Sequence, residues 1–177
     1  MSRDLALFKL SNKVKLSVKA RAQIWLIFQA VANFSQSSSF RIMALRLFGA
    51  EIGSNVKIRG RCRVHFPWNL SVGNNTWIGE EVWFINHEKV AIGSNVCISQ
   101  RTVICSSGHD YQRANFGYEH RPIFIKDGAW LCLDTKVLPG VRIGTCSVVA
   151  SGEVVRNSVP DYSMLIGGRL IKIEPPK

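Results

Sequence analysis

Three of the chain's four histidines, His65, His87 and His109, stand 22 residues apart. Imidazoles at a fixed interval admit two chemistries. Several rings brought to one point hold a metal such as zinc, whereas one ring with a pKa near ~6.5 takes a proton from a hydroxyl at neutral pH. For His109 the local setting favours the second. It opens the segment Ser106-Ser-Gly-His-Asp-Tyr-Gln-Arg-Ala-Asn-Phe-Gly-Tyr-Glu-His-Arg-Pro122, which interrupts an otherwise regular pattern. An insertion into a periodic chain leaves as a loop at one corner, and such loops commonly form binding faces. The five cysteines, Cys62, Cys97, Cys105, Cys132 and Cys146, contain no C-x-x-C pair and form an odd set. They read as small core or corner fillers in a reducing compartment.

The pattern around that segment is what must position it. The tetrads Ile52-Gly53-Ser54-Asn55, Val72-Gly73-Asn74-Asn75 and Ile92-Gly93-Ser94-Asn95 begin 20 residues apart. Within each block an apolar residue returns every six positions, as in Ile52, Ile58, Val64 and Leu70, or Val72, Ile78 and Phe84, or Ile92, Ile98 and Ile104. The beat resumes at Ile125, Leu131, Val137, Ile143, Val149 and Val155. Six residues do not fit the 3.6-residue period of a helix and are too many for simple strand alternation. Short strands joined by corners do fit, three sides to a coil, with each coil hydrogen-bonded to the next and an inward column of Ile and Val as the core. That is a parallel β-helix. An antiparallel sandwich would need hairpins at variable spacing. Gly at the second tetrad position, and Ser, Asn or Asp at the third and fourth, are expected to give the corners positive-φ tolerance and side-chain turn bonds.

This architecture also weighs the metal reading. With 20 residues per coil, each histidine of the 22-residue series advances two positions along its side. Two strand residues span ~6.6 Å and coils stack ~4.8 Å apart, so neighbouring rings start ~8 Å apart. Ligands to one zinc must each approach to ~2.0 Å, and the stagger places them poorly for that.

The formal charge of +11 is uneven. Residues 1–50 carry eight Lys or Arg against Asp4 alone, and residues 51–177 carry fifteen against eleven acidic residues. No nucleic-acid recognition motif accompanies the charge, so no nucleic-acid partner is expected. Lys9, Lys13, Lys15, Lys19 and Arg21 precede the apolar run Ile24-Trp-Leu-Ile-Phe-Gln-Ala-Val-Ala32, an order that suits an anionic membrane surface. The run is shorter than the ~20 apolar residues that span a bilayer. Helices here would equally cap the open end of the coil stack, where unpaired strand edges would otherwise face water. The expected organisation is a basic, partly helical extension (1–50), the hexad region (51–166) with its loop at 106–122, and a C-terminal tail (167–177). A cytoplasmic protein, peripheral at the inner face of the membrane, is the expected setting.

The segments Leu45-Arg-Leu-Phe-Gly-Ala50, Pro67-Trp68, Trp77-Ile-Gly-Glu-Glu-Val-Trp83, Ile98-Ser-Gln100, Gly108-His-Asp-Tyr111, Pro122, Asp127-Gly-Ala-Trp130 and Pro139-Gly-Val141 together resemble the hexapeptide-repeat acyltransferases. Within that family they are similar to the colanic-acid and exopolysaccharide O-acetyltransferases, relatives of the galactoside, maltose and nodulation acetyltransferases. The resemblance implies an all-β, left-handed parallel β-helix, a homotrimer, and acetyl-CoA held between neighbouring subunits, with no metal. It makes His109 the general base and puts Ala129, Trp130, Ser151 and Gly152 along the coenzyme. Arg156, Arg169 and Lys172 are the cations available for its phosphates. The chain departs from the family's Gly-x-Pro-Ala-Lys-like closing turn, having Gly167-Gly168-Arg169-Leu170-Ile171-Lys172 instead. On the acceptor side the expected residues are Asn86 and His87 from the second coil, and Tyr111 and Glu119 from the loop.

The activity implied is acetyl-CoA-dependent O-acetylation of a sugar hydroxyl in exopolysaccharide or lipopolysaccharide biosynthesis, on a sugar or lipid-linked saccharide. An antibiotic or amino sugar as acceptor would leave base and coenzyme site alike. A γ-carbonic-anhydrase-like zinc protein would use the same coils, but the paired-histidine motif of that family is absent.

Overall fold

Each short strand alternates outward and inward side chains, and the inward one is the apolar member of the hexad. Glu51–Ile52, Lys57–Ile58 and Arg63–Val64 each read exposed then buried. The computed structural model describes residues 16–175 except residue 36. Lys9, Lys13 and Lys15 lie outside the described residues, as does the side chain of Lys19.

Strands β1 (Glu51–Ile52), β2 (Lys57–Ile58) and β3 (Arg63–Val64) make the three sides of the first coil. The second coil is β4 (Leu70–Val72), β5 (Trp77–Ile78) and β6 (Trp83–Ile85), and the third is β7 (Val90–Ile92), β8 (Cys97–Ile98) and β9 (Val103–Cys105). A hairpin, β10 (Ser107–His109) and β11 (Tyr118–His120), then intervenes. The fourth coil is β12 (Ile123–Ile125), β13 (Trp130–Leu131) and β14 (Lys136–Val137), and the fifth is β15 (Arg142–Ile143), β16 (Val148–Val149) and β17 (Val154–Val155). Strands β18 (Ser163–Ile166) and β19 (Arg169–Lys172) close the chain.

The sides form three sheets, β1-β4-β7-β12-β15, β2-β5-β8-β13-β16-β18 and β3-β6-β9-β14-β17, in which every pair is parallel. Register sets like on like: Ile58 pairs with Ile78, Ile78 with Ile98, Ile98 with Leu131 and Leu131 with Val149. Every apolar position of the hexad series is buried. Small or branched residues four positions after an apolar one of the beat, such as Val56, Thr76, Thr135 and Ser147, are buried with them.

Two helices, α1 (Leu16–Phe34) and α2 (Ser38–Leu47), cover the first coil. The free edge of each side is met by helix side chains. On the first side, Arg46 Nη2 donates to the Ile52 carbonyl at 2.7 Å. On the second, Arg41 donates to the Ile58 carbonyl through Nε at 2.9 Å and Nη2 at 2.7 Å, and Ser38 Oγ accepts from Ile58 N–H at 2.9 Å. On the third, Trp25 Nε1 donates to the Val64 carbonyl at 2.6 Å while Gln29 Oε1 accepts from Val64 N–H. These bonds satisfy edge groups that a terminal strand leaves open.

The corners depart from expectation in one respect. The positive φ falls on the fourth tetrad residue, Asn55 (52°), Asn75 (55°) and Asn95 (58°), and not on Gly53, Gly73 or Gly93. Asparagine tolerates this conformation because its short side chain bonds locally. Here those side chains also bond between coils, Asn55 Nδ2 to Asn75 Oδ1 at 3.0 Å and Asn75 Nδ2 to Asn95 Oδ1 at 3.2 Å. The glycines answer a different need: a Cβ on Gly73 would lie 2.5 Å from Gly93 C and 2.6 Å from Ser94 N. Neighbouring corners stack backbone on backbone, leaving no room for a side chain.

Candidate active site

The hairpin leaves the corner after β9 and returns into β12. Its strands pair antiparallel, Ser107 opposite His120 and His109 opposite Tyr118. Its root is fixed by Ser106, whose buried hydroxyl accepts from Glu88 N–H at 2.9 Å and whose carbonyl accepts from Arg121 N–H at 2.9 Å.

His109 ends β10. Its Nδ1 lies 2.8 Å from the Phe116 carbonyl oxygen. A carbonyl only accepts, so Nδ1–H donates and the lone pair of the neutral imidazole sits on Nε2. The ring stacks on Phe116 at a centroid distance of 4.3 Å and 4°, and leans on Tyr118 at 4.5 Å. Tautomer and orientation are thus both set by the hairpin. The Asp110 carboxylate is engaged in the turn, accepting from Gln112 N–H at 3.0 Å and pairing with Arg113 at 2.9 Å.

All four histidines fall in one row of rings. From His109 the row passes to Tyr118, then to His120 at 5.2 Å, to His87 at 5.2 Å and to His65 at 5.7 Å. It ends on Trp83, whose indole N–H donates to His65 Nε2 at 3.3 Å. Tyr118 and His120 were not among the residues singled out from sequence. The Tyr-x-His alternation was the available signal, because strand geometry puts 118 and 120 on one face and Glu119 on the other. Glu119 instead pairs with Arg121 at 3.3 Å, and Tyr111 stands exposed at the hairpin tip.

Of the other expected acceptor residues, His87 is central to the row. Asn86 is fully buried, and both ends of its amide are taken by the main chain of Phe66, at 3.1 Å and 2.7 Å. It braces the first coil against the second. Ala129 likewise points into the core. Trp130 is 47 % exposed on the outer face of β13, its indole N–H donating to Ser99 Oγ at 3.1 Å. Ser151 and exposed Gly152, at φ +75°, form the corner between β16 and β17, with Arg156 just beyond. Gly167 (φ 55°) and Gly168 (φ 71°) make the two-residue turn joining β18 to β19, as a tight hairpin with positive φ at both central residues demands. Arg169 and Lys172 consequently stand on opposite faces of β19, three residues apart on a strand, and do not converge. Trp130 lies on the second side of the prism, and His109 on the hairpin that leaves the corner after the third.

No group of three or more His, Cys, Asp or Glu able to hold a metal occurs among the described residues. The five cysteines are unbridged, and burial pushes the Cys62 thiol up to about 12, making it a poor nucleophile.

Two members of the row, His65 and His87, are held towards neutrality. Burial, with His120 and His65 adding, pushes His87 down to about 4, and burial with Arg63 lowers His65. An unfolded histidine titrates near ~6.5. Between that value and about 4 the unfolded chain takes up a proton that folded His87 refuses, so this stability is complete above the window and is lost as pH falls through it. Urea midpoints are expected to drop between pH 7 and pH 4.5, with a shallower drop in His87→Phe. Equal slopes for the two proteins would remove His87 as the cause.

No protein-family model matches the chain. WcaF of Escherichia coli (strain K12), a proposed colanic acid biosynthesis acetyltransferase, is 34% identical over 161 residues, covering 89% of this chain and 88% of its own. The chain belongs to the hexapeptide-repeat acetyltransferases. A proposed acetyltransferase of Saccharomyces cerevisiae shares 33% identity over 125 residues, 63% of either chain. Among solved structures, a hexapeptide-repeat acetyltransferase of Vibrio cholerae complexed with acetyl-CoA superposes with a TM-score of 0.83 at 23% identity, covering 93% of this chain and 91% of that one. A galactoside acetyltransferase in complex with coenzyme A gives 0.82 at 22%, covering 95% and 88%. The coil of this acetyltransferase is the left-handed β-helix of those structures.

Proposed function

We propose that this acetyltransferase transfers the acetyl group of acetyl-CoA directly to a saccharide hydroxyl during surface-polysaccharide assembly, with His109 as general base. The observation that carries the reading is the Nδ1–H bond to the Phe116 carbonyl, which leaves Nε2 as the proton acceptor. Nε2 takes the hydroxyl proton as the acceptor oxygen attacks the thioester carbonyl carbon. Backbone N–H groups steady the oxyanion. The carbon–sulfur bond then breaks, and the proton passes from His109 to the departing sulfur to give the free thiol. The resemblance to WcaF supports a polysaccharide acceptor. A soluble antibiotic or amino sugar would use the same base, and an acceptor panel separates these.

On this reading the coenzyme lies along exposed Trp130 and the Ser151-Gly152 corner, with Arg156 and either Arg169 or Lys172 near its phosphates. The chain's own surface offers such a ligand an open aromatic face at Trp130 and exposed cations at Arg156, Arg169 and Lys172, none of them in a salt bridge among the described residues. With Trp130 on the second side of the prism and His109 on the hairpin after the third, a neighbouring subunit completes the site in a homotrimer. The protein works in the cytoplasm against the inner membrane face, where α1 turns Ile24, Ile27 and Val31 outward; cosedimentation with anionic vesicles tests that placement. No helix of the described residues is long and apolar enough to cross a membrane.

The deciding experiment follows thiol release from acetyl-CoA across a panel of sugars, wild type against His109→Ala. In the same assay Trp130→Ala is expected to raise KM for acetyl-CoA roughly tenfold with kcat nearly kept, the cost of truncating a contact aromatic. An unchanged KM would take Trp130 out of the coenzyme site.

A further inference from the structure

Two adjoining cavities sit beside the first three coils, away from the hairpin. One, of about 460 Å³, is lined by Arg41, Arg59, Arg61 and Glu80 with Asn33 and Ser35 of the helical cap. The other, of about 520 Å³, shares Asn33 and Arg61 with it and adds Arg63, Arg101, Glu81 and Trp83. Five guanidinium groups thus face two carboxylates. Arg61 is paired with Glu81 at 3.1 Å. Arg63 lies over the Trp83 ring at 4.0 Å.

Arg41 is the unusual member. It is 5 % exposed, and its hydrogen bonds go to the carbonyls of Ile58 and Ser35. Among the described residues no carboxylate pairs with it. Burial accordingly lowers its pKa, yet a guanidinium stays charged. A buried positive charge without a counter-ion raises the potential of the cavity it lines and costs stability unless an anion answers it.

The corner ladder sets the spacing. Glu81 N–H donates to the Gly60 carbonyl and Arg101 N–H to that of Glu80, so Arg61, Glu81 and Arg101 stack at equivalent corner positions. Arg61 and Arg101 are therefore two coil spacings apart, ~10 Å at the backbone, within reach of each other's long side chains across one bound group. Guanidinium forks match phosphate oxygens two at a time. Trp83 closes one wall and is also the end of the ring row that begins at His109. The face between cavity and base is lined by rings, which suit the apolar faces of sugars.

We propose that these cavities bind the phosphate or diphosphate of a phosphorylated saccharide acceptor, with Arg61, Arg63 and Arg101 as its donors and Arg41 as a fixed charge in the wall. The inference rests on the saccharide reading above and narrows it: the reacting hydroxyl reaches His109 while the anionic end of the same molecule is held by the arginines, with the sugar between them along the rings.

The test is calorimetric titration of the full-length protein with sodium pyrophosphate. Wild type is expected to bind it, and Arg61→Gln/Arg101→Gln about tenfold or more weakly, the loss expected of two charge-assisted contacts. Arg113→Gln/Arg142→Gln, which removes the same charge elsewhere, should bind as wild type. Saturating coenzyme A should not displace pyrophosphate, and glucuronate should bind at least tenfold more weakly than pyrophosphate, by the same arithmetic. Absence of binding, or equal binding by wild type and the Arg61/Arg101 variant, overturns the proposal. Displacement by coenzyme A assigns the cavities to the coenzyme, and glucuronate as tight as pyrophosphate assigns them to a carboxylate; either result also overturns it. His109→Ala is expected to bind pyrophosphate normally, so a failure of the anion site is read separately from a failure of the base.

Discussion

Replacing His109 by alanine is expected to lower acetyl transfer by ~10² to 10⁴-fold, the contribution of a positioned general base. The loss belongs in kcat and in kcat/KM alike, because the proton moves only in the transition state. KM for acetyl-CoA should stay near that of wild type. The substitution removes one half-buried ring from the hairpin, leaving the coil stack and its buried apolar column untouched. Circular dichroism and oligomer size should therefore match wild type, so lost turnover cannot be put down to lost fold. A second variant sharpens the argument. Phe116 holds Nδ1 through its backbone carbonyl, so Phe116→Leu keeps that bond while removing the stacked ring, and its kcat should fall far less than that of His109→Ala. Thiol release unchanged in His109→Ala would end the general-base mechanism.

Gly73→Ala is expected to be severely damaging for so conservative a change in the coils. The added methyl would stand 2.5 Å from Gly93 C, 2.6 Å from Ser94 N and 2.7 Å from Gly93 O. All three are backbone atoms of the next coil, which no rotamer change can move aside. The corners must part, and parting them strains the ladder in which Gly73 N–H donates to the Ile92 carbonyl at 2.8 Å and Asn95 N–H to the Asn74 carbonyl at 2.8 Å. A loss of about 3 kcal/mol or more is expected, in the range reserved for core and backbone clashes. For a chain of this size that lowers Tm by roughly 6 to 12 °C. Gly60→Ala is the matched control, since no atom lies within 4 Å of its Cβ and its φ is not in the left-handed region. That change should be neutral or raise stability by up to ~1 kcal/mol through the unfolded chain. Similar Tm shifts for the two variants would refute the close-approach account of the tetrad glycines.

The sequence by itself determined the coil, its core and the place of the hairpin that carries His109. A six-residue apolar beat is local information, and stacking multiplies it: each coil buries its column only against the next, so spacing along the chain becomes register between strands. Ile58, Ile78 and Ile98 are aligned in the sheet because they are 20 apart in the chain. The break in the beat marked the hairpin for a similar reason, since residues outside the repeat cannot join the ladder. Even so, the pattern misassigned the tetrad glycines. Periodicity reports that a small residue is required but not whether φ or a neighbouring backbone requires it.

Tertiary structure decided what faces what. Tyr118 and His120 join His87 because a hairpin folds back across the second coil, a relation between positions more than 30 residues apart that no period encodes. The same folding buried Asn86 and Ala129 within the coils, because inward and outward differ by one residue on a strand and only packing fixes which is which. A helical cap was legible in the sequence, but its pairing was not. Trp25, Gln29, Arg41 and Arg46 read as a basic, apolar helical segment, whereas their polar atoms each answer a particular edge group of the first coil. Such pairing depends on where two separately stable elements dock, which is set by the atoms left unsatisfied at the end of the stack and not by the residues next in line.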